Sequence, residues 1–276
     1  MYKLVASDMD ETFLDGEHRI PEANLEALRR MRELGVLFVP SSGRPYGSIM
    51  ENFAGIDQSL MEDSYVISYN GGFINRYGDP EPLVSFQMDQ DLALELFLRG
   101  RELGLCQHVY TPSGDIFVCD APSSERAYLS SLSGITHLDG AHLDDLSFCD
   151  GEPIVKILYM SDDFGALKRL GSEMGPSLEE RGCSVTYSSG RYIEFMPTGI
   201  DKGSGLVKLA EMLGFGISET VGVGDSANDL EMIRAAGLGV GVANVTDEVR
   251  PSCDVVLDTR ADDGAFAEVV ERFLER

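Results

Sequence analysis

Cations are scarce in this chain: 22 lysines and arginines stand against 47 aspartates and glutamates, a formal net charge of -25 over 276 residues. A surface of that sign repels nucleic acid and anionic membranes, because binding to phosphate-rich partners is carried by Lys and Arg. Neither partner is expected. The same field opposes a phosphorylated ligand at long range, and otherwise serves solubility. A phosphate site here has to be built from local positive features: a metal ion, a few side-chain cations, backbone N–H groups. Cysteine is sparse as well. Positions 106, 119, 149, 183 and 253 contain no Cys-x-x-Cys pair and are odd in number, which argues against a disulfide framework or a zinc site. They read as small packing residues in a reducing compartment. No apolar run approaches the ~20 residues of a membrane span. The opening MYKLVASDMDETFL lacks the apolar stretch of a signal peptide, so a cytoplasmic protein is expected. Repeats and low-complexity tracts are lacking too.

What is present is the balance of a globular protein, 43% hydrophobic and 25% charged, long enough for one large domain or two ordinary ones. The apolar run 2–7 predicts a buried strand that ends in Asp8 and Asp10. Pro21 opens a helical pattern with Leu25, Leu28, Met31 and Leu34 on one face, and Gly35 ends it. Strands follow over 36–40 and 65–69, leading into Ser41-Ser42-Gly43-Arg44 and Asn70-Gly71-Gly72. Strand–helix–strand–helix–strand predicts a doubly wound, Rossmann-like parallel sheet. Ligands of such sheets sit beyond the carboxyl ends of the strands, where Asp8, Asp10, Ser42 and Asn70 all fall.

The middle third alternates less strictly. Helices are expected near 89–103, 122–132 and 163–181, with strands near 106–110, 115–119, 153–160 and 183–188, and a polar, acidic loop over 134–152. This reads as an inserted α+β unit over 83–190, hinged at the Pro and Gly residues of 78–82 and at Gly190. The first unit then resumes over 191–276. It has a strand at 192–196, a helix over 202–213 capped by Asp201, a strand at 219–224 and a helix to about 236. Strands near 238–242 and 253–257 and a terminal helix from about 262 complete it.

Four clusters carry chemistry. Asp8-x-Asp10 puts two carboxylates after a buried strand, a costly placement unless a metal or hydrogen bonds compensate. A hard cation such as Mg²⁺ takes such oxygens together with phosphate oxygens. Gly224-Asp225-Ser226-Ala227-Asn228-Asp229 repeats the pattern, with Asp225 a further candidate ligand and Asn228 and Asp229 in the first helical turn. Lys202 opens a helix, where the dipole favours anions rather than cations; the placement makes sense facing a bound anion. Ser42-Gly43-Arg44 combines a hydroxyl, an unobstructed N–H and a guanidinium at a helix start, a natural anion cradle. Each cluster alone also suits a cap, a solvated turn or a surface lysine. Together they occupy the strand ends of one predicted sheet.

The run Asp8-Met9-Asp10-x-Thr12, then Ser42-Gly43-Arg44, Lys202-Gly203 and Gly224-Asp225-x-x-Asn228-Asp229 resembles the four motifs of the haloacid dehalogenase superfamily. Order, spacing and an insert after the third strand resemble its Cof-type subfamily with a C2B cap, over essentially the whole chain. The resemblance implies a Mg²⁺-dependent phosphomonoester hydrolase acting on small phosphorylated metabolites, sugar phosphates or similar. Asp8 would be the nucleophile and form an aspartyl-phosphate. Asp10 would be the acid–base, protonated at the start of its first task and then activating water. Asp8, the Asp10 carbonyl and Asp225 would hold Mg²⁺. Ser42, the N–H groups of Met9 and Gly43, and Asn228 would cradle the phosphoryl oxygens, with Lys202 neutralising charge and Asp229 orienting Lys202 or metal-bound water. Arg44 would meet the substrate beyond its phosphate or bind the cap, which would close over the site. A phosphomutase or phosphotransferase of the same chemistry, or a non-catalytic metabolite-binding regulator, are the rival readings, and monomer or homodimer both fit. Glu11 stands where the family has glycine, Ser42 where threonine is commoner, and Gly241-Val242-Ala243-Asn244 is similar to, without matching, a Gly-Asn-Ala segment.

Overall fold

The computed structural model describes residues 1–130, 134–140 and 143–275. The chain divides into two units, one of Met1–Val84 with Ile200–Arg276 and the other of Ser85–Gly199.

The first unit is built on a parallel sheet. Its strands are β1 (Leu4–Ser7) and β2 (Leu37–Pro40) from the start of the chain, and β12 (Thr220–Gly224), β13 (Leu238–Gly241) and β14 (Val255–Val256) from its end, in the order β14-β13-β12-β1-β2. β3 (Tyr65–Ser68) extends this edge through a parallel bridge between Ser41 and Ile67. It also pairs antiparallel with β4 (Phe73–Arg76), beside which lies β5 (Pro82–Ser85) in a three-stranded sheet of order β3-β4-β5; sequence reasoning did not identify β4 or β5. β1 is buried along its whole length, which is why it reads as an unbroken apolar run. Its side chains alternate between two layers. Val5 joins Leu28 and Met31 of α1 (Glu22–Leu34), Phe53 of α2 (Tyr46–Phe53) and Phe266 of α8 (Ala265–Val269). Leu4 and Ala6 join Leu206 and Leu209 of α6 (Lys202–Leu213) and Met232 of α7 (Leu230–Ala235) on the other face. Phe13, immediately after the Asp8 loop, stacks on Phe38 with ring centroids 4.5 Å apart and meets Phe266 edge-on at 5.2 Å. The loop is thereby anchored in the core; truncation of such a ring costs about 3–5 kcal/mol. Gly35, at φ 69°, closes α1 as the helix pattern predicts.

The second unit carries a six-stranded sheet in the order β10-β11-β9-β6-β7-β8: β6 (Cys106–Tyr110), β7 (Ile116–Cys119), β8 (Ile135–Leu138), β9 (Lys156–Met160), β10 (Cys183–Ser188) and β11 (Tyr192–Pro197). Pairing is antiparallel except between β7 and β8. α3 (Gln90–Glu102) and α5 (Phe164–Glu180) bury Leu96, Phe97, Leu167 and Leu178 against one face. α4 (Ser123–Leu129) puts Leu129 on the other; the last residues of the expected 122–132 helix lie outside the described residues. β8 falls in the stretch expected to be loop, where its exposed Thr136 and His137 disguise a short edge strand.

One boundary differs from the sequence expectation. The strand expected to reopen the first unit at 191 is β11, and it pairs antiparallel with both β10 and β9 in the second unit. The boundary therefore lies between Gly199 and Ile200 rather than after Gly190. Gly190, at φ 61°, turns a hairpin between β10 and β11 instead of marking a domain hinge. Among the described residues, no helix is long and apolar enough to cross a membrane. The five cysteines are free thiols, four of them buried. Burial pushes Cys106, Cys119 and Cys149 up to about 12, as suits packing residues rather than reactive ones.

Candidate active site

The carboxyl ends of the parallel strands bring the sequence clusters together. Asp8 follows β1, its N–H donating to the Val223 carbonyl at 2.9 Å. Asp225 follows β12, and Ser42 follows β2 with its N–H on the Ile67 carbonyl at 2.9 Å. Lys202 is the first residue of α6, whose start is fixed by a reciprocal cap: the Asp201 carboxylate accepts from Ser204 N at 2.7 Å while Ser204 Oγ accepts from Asp201 N at 3.0 Å. α6 reaches the site because Gly71, at φ 95°, lets its backbone pass against Asp201; a Cβ there would fall 2.1 Å from the Asp201 carbonyl.

Lys202 is wholly buried, with Nζ 2.5 Å from Asp8 Oδ1 and 2.6 Å from Asp229 Oδ1. The sequence left open whether it was an ordinary surface lysine; the fold buries it. Asp229 uses its second oxygen to accept from the N–H groups of Asp225 and Ser226 at 3.0 and 3.1 Å. Gly224 makes room for that return, since a Cβ would lie 2.4 Å from the Asp229 side chain. Asp225 Oδ1 accepts from Thr12 Oγ1 at 3.0 Å. Thr12 was quoted in the sequence motif without a role, and here it braces Asp225.

Carboxylate oxygens of Asp8, Asp225 and Asp229 all lie within 4.8 Å of one another. One lysine cannot neutralise three buried carboxylates. Burial above all, then the charges of Asp229 and Asp225, push Asp8 up to about 8 against the pull of Lys202. Burial and Asp229 push Asp225 up to about 6 against the Thr12 bond. Burial works against the Lys202 ammonium, but Asp8 and Asp229 outweigh it and hold the group above its ordinary value. Such a site gains from a further cation. The donor set fits a hard divalent ion: among the described residues, Asp8 Oδ2 and Asp225 Oδ2 carry no hydrogen bond, whereas both oxygens of Asp229 are engaged. Asp8 and Asp225 therefore keep open oxygens that can take the ion, while Asp229 accepts from Lys202 Nζ.

The anion side is equally defined. Ser42 is buried and its Oγ accepts from Arg44 N at 3.2 Å. Met9 sends its side chain into the core and offers only backbone to the site. Asn70, noted at a strand end but given no role, takes the left-handed conformation at φ 52°. It packs its amide on Gly43, where an added Cβ would meet Oδ1 at 3.1 Å, and accepts from Asn228 Nδ2 at 3.4 Å. Asp10 is partly exposed, with Oδ1 2.8 Å from His18 Nδ1 and Oδ2 3.3 Å from Arg44 Nε. Arg44, expected to face substrate or cap, is thus paired within the site. Glu11 sits at φ 56° in the left-handed region, the geometry that explains a family glycine there. Asn244, from the segment that departs from the family pattern, donates Nδ2 to the Glu11 carbonyl at 2.8 Å and steadies it. A cavity of about 450 Å³ opens here, lined by Asp8, Asp10, Glu11, Ser42, Gly43, Arg44, Asp225, Ser226, Asn228 and Thr246. His18, Asn52 and Thr246 were not among the sequence candidates, and Asn70 was placed at a strand end without a role. None of the first three sits in a motif, and only the loop-to-loop contacts reveal them.

Fold and site together define an α/β protein of doubly wound type, whose ligand site is a set of carboxylates around a lysine at the strand ends. Residues 5–269 match the family model of the haloacid dehalogenase-like hydrolases, and the chain belongs to that family. The resemblance read from the four motifs is borne out. Among curated relatives, the 5-amino-6-(5-phospho-D-ribitylamino)uracil phosphatase YcsE of Bacillus subtilis is 28% identical over 262 residues, covering 95% of this chain and 92% of the relative. The HMP-PP phosphatase of Klebsiella pneumoniae is 27% identical over 263 residues, covering 94% and 92%. Among solved structures, a haloacid dehalogenase-like hydrolase from Bacteroides thetaiotaomicron superposes with a TM-score of 0.81 at 28% identity, covering 99% of both chains.

Proposed function

We propose that this protein is a Mg²⁺-dependent phosphomonoesterase that hydrolyses small phosphorylated metabolites through an aspartyl-phosphate on Asp8. The observation that carries this is the buried lysine clasped between Asp8 and Asp229, beside an Asp225 oxygen left free for a cation. Asp8 and Asp225 would hold Mg²⁺, which would supply the positive charge that keeps Asp8 ionised and screens the incoming phosphoryl group. Lys202 adds the second positive charge. Ser42 Oγ, the N–H groups of Met9 and Gly43, and the Asn228 amide cradle the phosphoryl oxygens. The Asp8 carboxylate attacks phosphorus as the bond to the leaving alkoxide breaks, and Asp10 delivers its proton to that alkoxide. In the second half Asp10 takes a proton from water, the hydroxide attacks phosphorus, and the Asp8 carboxylate and inorganic phosphate are released. The two curated relatives are named for different phosphorylated metabolites, and a cavity of about 450 Å³ has room for such a molecule.

The test is inorganic phosphate release across a panel of phosphorylated metabolites, with and without Mg²⁺, for wild type and Asp8→Asn. Wild type is expected to release phosphate only with Mg²⁺, and the variant none. A wild type that binds Mg²⁺ and releases nothing sinks the reading.

A further inference from the structure

Asp10 lies in a closed ring of contacts. His18 Nδ1 is 2.8 Å from Asp10 Oδ1, and Arg44 Nε is 3.3 Å from Asp10 Oδ2. The circuit is completed by Asn52, the penultimate residue of α2. Its Oδ1 accepts from Arg44 Nη2 at 2.8 Å and its Nδ2 donates to the His18 carbonyl at 3.0 Å. Three separate pieces of chain meet here: the loop after β1, the loop after β2 and α2. The Asp10 carboxylate is 37% exposed and the His18 ring 68%. Open ion pairs of that kind hold geometry weakly, because water competes and long side chains lose entropy on pairing. A closed ring changes this, since Asp10, Arg44 and Asn52 are each ordered by two neighbours and the His18 loop is tied at both its ring and its backbone carbonyl. His18 itself is held at φ 58°, a left-handed conformation. Its loop is pinned by Asp15, whose carboxylate accepts from the N–H groups of Glu17 and Arg19 at 2.9 Å each. Backbone strain kept in place by local bonds, beside a group that must transfer a proton, marks a positioning device.

We infer that Asn52 and His18 are positioning residues: by tying the His18 loop to Arg44, Asn52 fixes the Asp10 carboxylate where it meets the leaving-group oxygen. This rests on the phosphatase reading above. The argument predicts where the damage falls. An alkoxide leaves only with a proton, whereas a nitrophenolate leaves without one, so misplacing Asp10 penalises the first ester far more than the second.

The experiment compares kcat on p-nitrophenyl phosphate with kcat on a sugar phosphate that the wild type hydrolyses, for wild type, Asn52→Ala, His18→Ala and the double variant. The ratio of sugar phosphate to nitrophenyl phosphate turnover is expected to fall about 10-fold or more in each single variant. The double variant should fall no further than the worse single, because the ring acts as a unit. Asn52→Asp, which keeps the acceptor toward Arg44, should recover part of the ratio. Unchanged ratios in active single variants, or losses that multiply in the double, overturn the positioning role and leave the phosphatase reading standing. A wild type that hydrolyses neither ester overturns the phosphatase reading, and this inference with it.

Discussion

Two buried ionic clusters, one in each unit, are built on opposite terms. In the second unit Glu125 is fully buried yet surrounded by groups of opposite polarity: Tyr192 Oη gives it a hydrogen bond at 2.6 Å, Arg191 Nη2 lies 2.9 Å away and His108 Nε2 3.1 Å. Burial pushes this carboxyl up, but His108, Tyr192 and Arg191 outweigh it and hold it below the ordinary carboxylate range. Nearby, Glu194 is paired with Lys156 and accepts from Ser188. In the first unit Asp8, Asp225 and Asp229 share one lysine, and two of the three are pushed upward. The balanced cluster lowers its carboxylate's affinity for protons, as a structural ion pair does. The unbalanced one stores unmet negative charge, which a cation and the phosphoryl chemistry use. Burial of charge alone does not distinguish a site; the excess of one sign does.

The sharpest way to break this contrast is Lys202→Met. It should lower phosphate release by about 10³-fold or more, since it removes a cation at the transferring group. It should also destabilise the fold by about 3–5 kcal/mol, since the buried carboxyls lose the cation they pair with; urea unfolding reads the second effect. Glu125→Gln should cost less, about 1–3 kcal/mol in the same assay, because the amide keeps the shape but offers Arg191 and His108 a neutral partner. If its cost exceeded that of Lys202→Met, the balanced cluster would be the more critical of the two, contrary to this account.

Acidity separates the clusters by sign. A carboxyl whose folded value is raised contributes stability that is fully present below its unfolded value and is lost as pH rises through the folded one. With metal chelated, Asp8 should therefore weaken the fold as pH climbs from about 4 toward about 8, and Asp225 as it climbs toward about 6. Glu125, held low, contributes stability present above its unfolded value near 4.5 and lost as pH falls through its folded one. Melting temperature against pH, with chelator and with Mg²⁺, reads both limbs. Mg²⁺ should flatten the alkaline limb and leave the acid limb alone. An alkaline limb indifferent to Mg²⁺ would remove the metal from the explanation.

The smallest effect is expected at Glu11. Replacing this left-handed residue by glycine relieves backbone strain but adds freedom to the unfolded chain. Glu11→Gly should change stability by less than about 1 kcal/mol. Asn244→Ala, which releases the Glu11 carbonyl, should destabilise in the same chemical denaturation experiment.

Much of this architecture was legible beforehand, for reasons that differ by element. β1, β2 and β12 are buried on both faces, so their sequences are uninterrupted apolar runs bounded by Gly, Asp or Ser, and their ends could be located to within a residue or two. α1 announced itself through Pro21 and Gly35. β4, β5 and β8 did not, because short or edge strands carry mixed polar residues and no period long enough to count. β11 was recognised as a strand and placed in the wrong unit. YIEFM specifies an extended, buried segment, but which sheet receives it depends on hydrogen-bond partners far along the chain. The site divides in the same way. Asp8, Asp225, Lys202, Ser42 and Asn228 stand at motif positions, whereas Thr12's bond to Asp225 spans 213 residues of sequence and His18 and Asn52 meet across 34.

By itself the sequence determined which groups could do chemistry and at which strand ends they would stand, because residue type and the period of burial are local properties. Only the tertiary structure decided that Lys202 is buried between two carboxylates, that both oxygens of Asp229 already accept hydrogen bonds, and that Asp10 is held by two partners, His18 and Arg44, from different loops. Those are matters of distance between segments remote in the chain, and in a packed core distance sets both the charge that must be neutralised and the proton that can be moved.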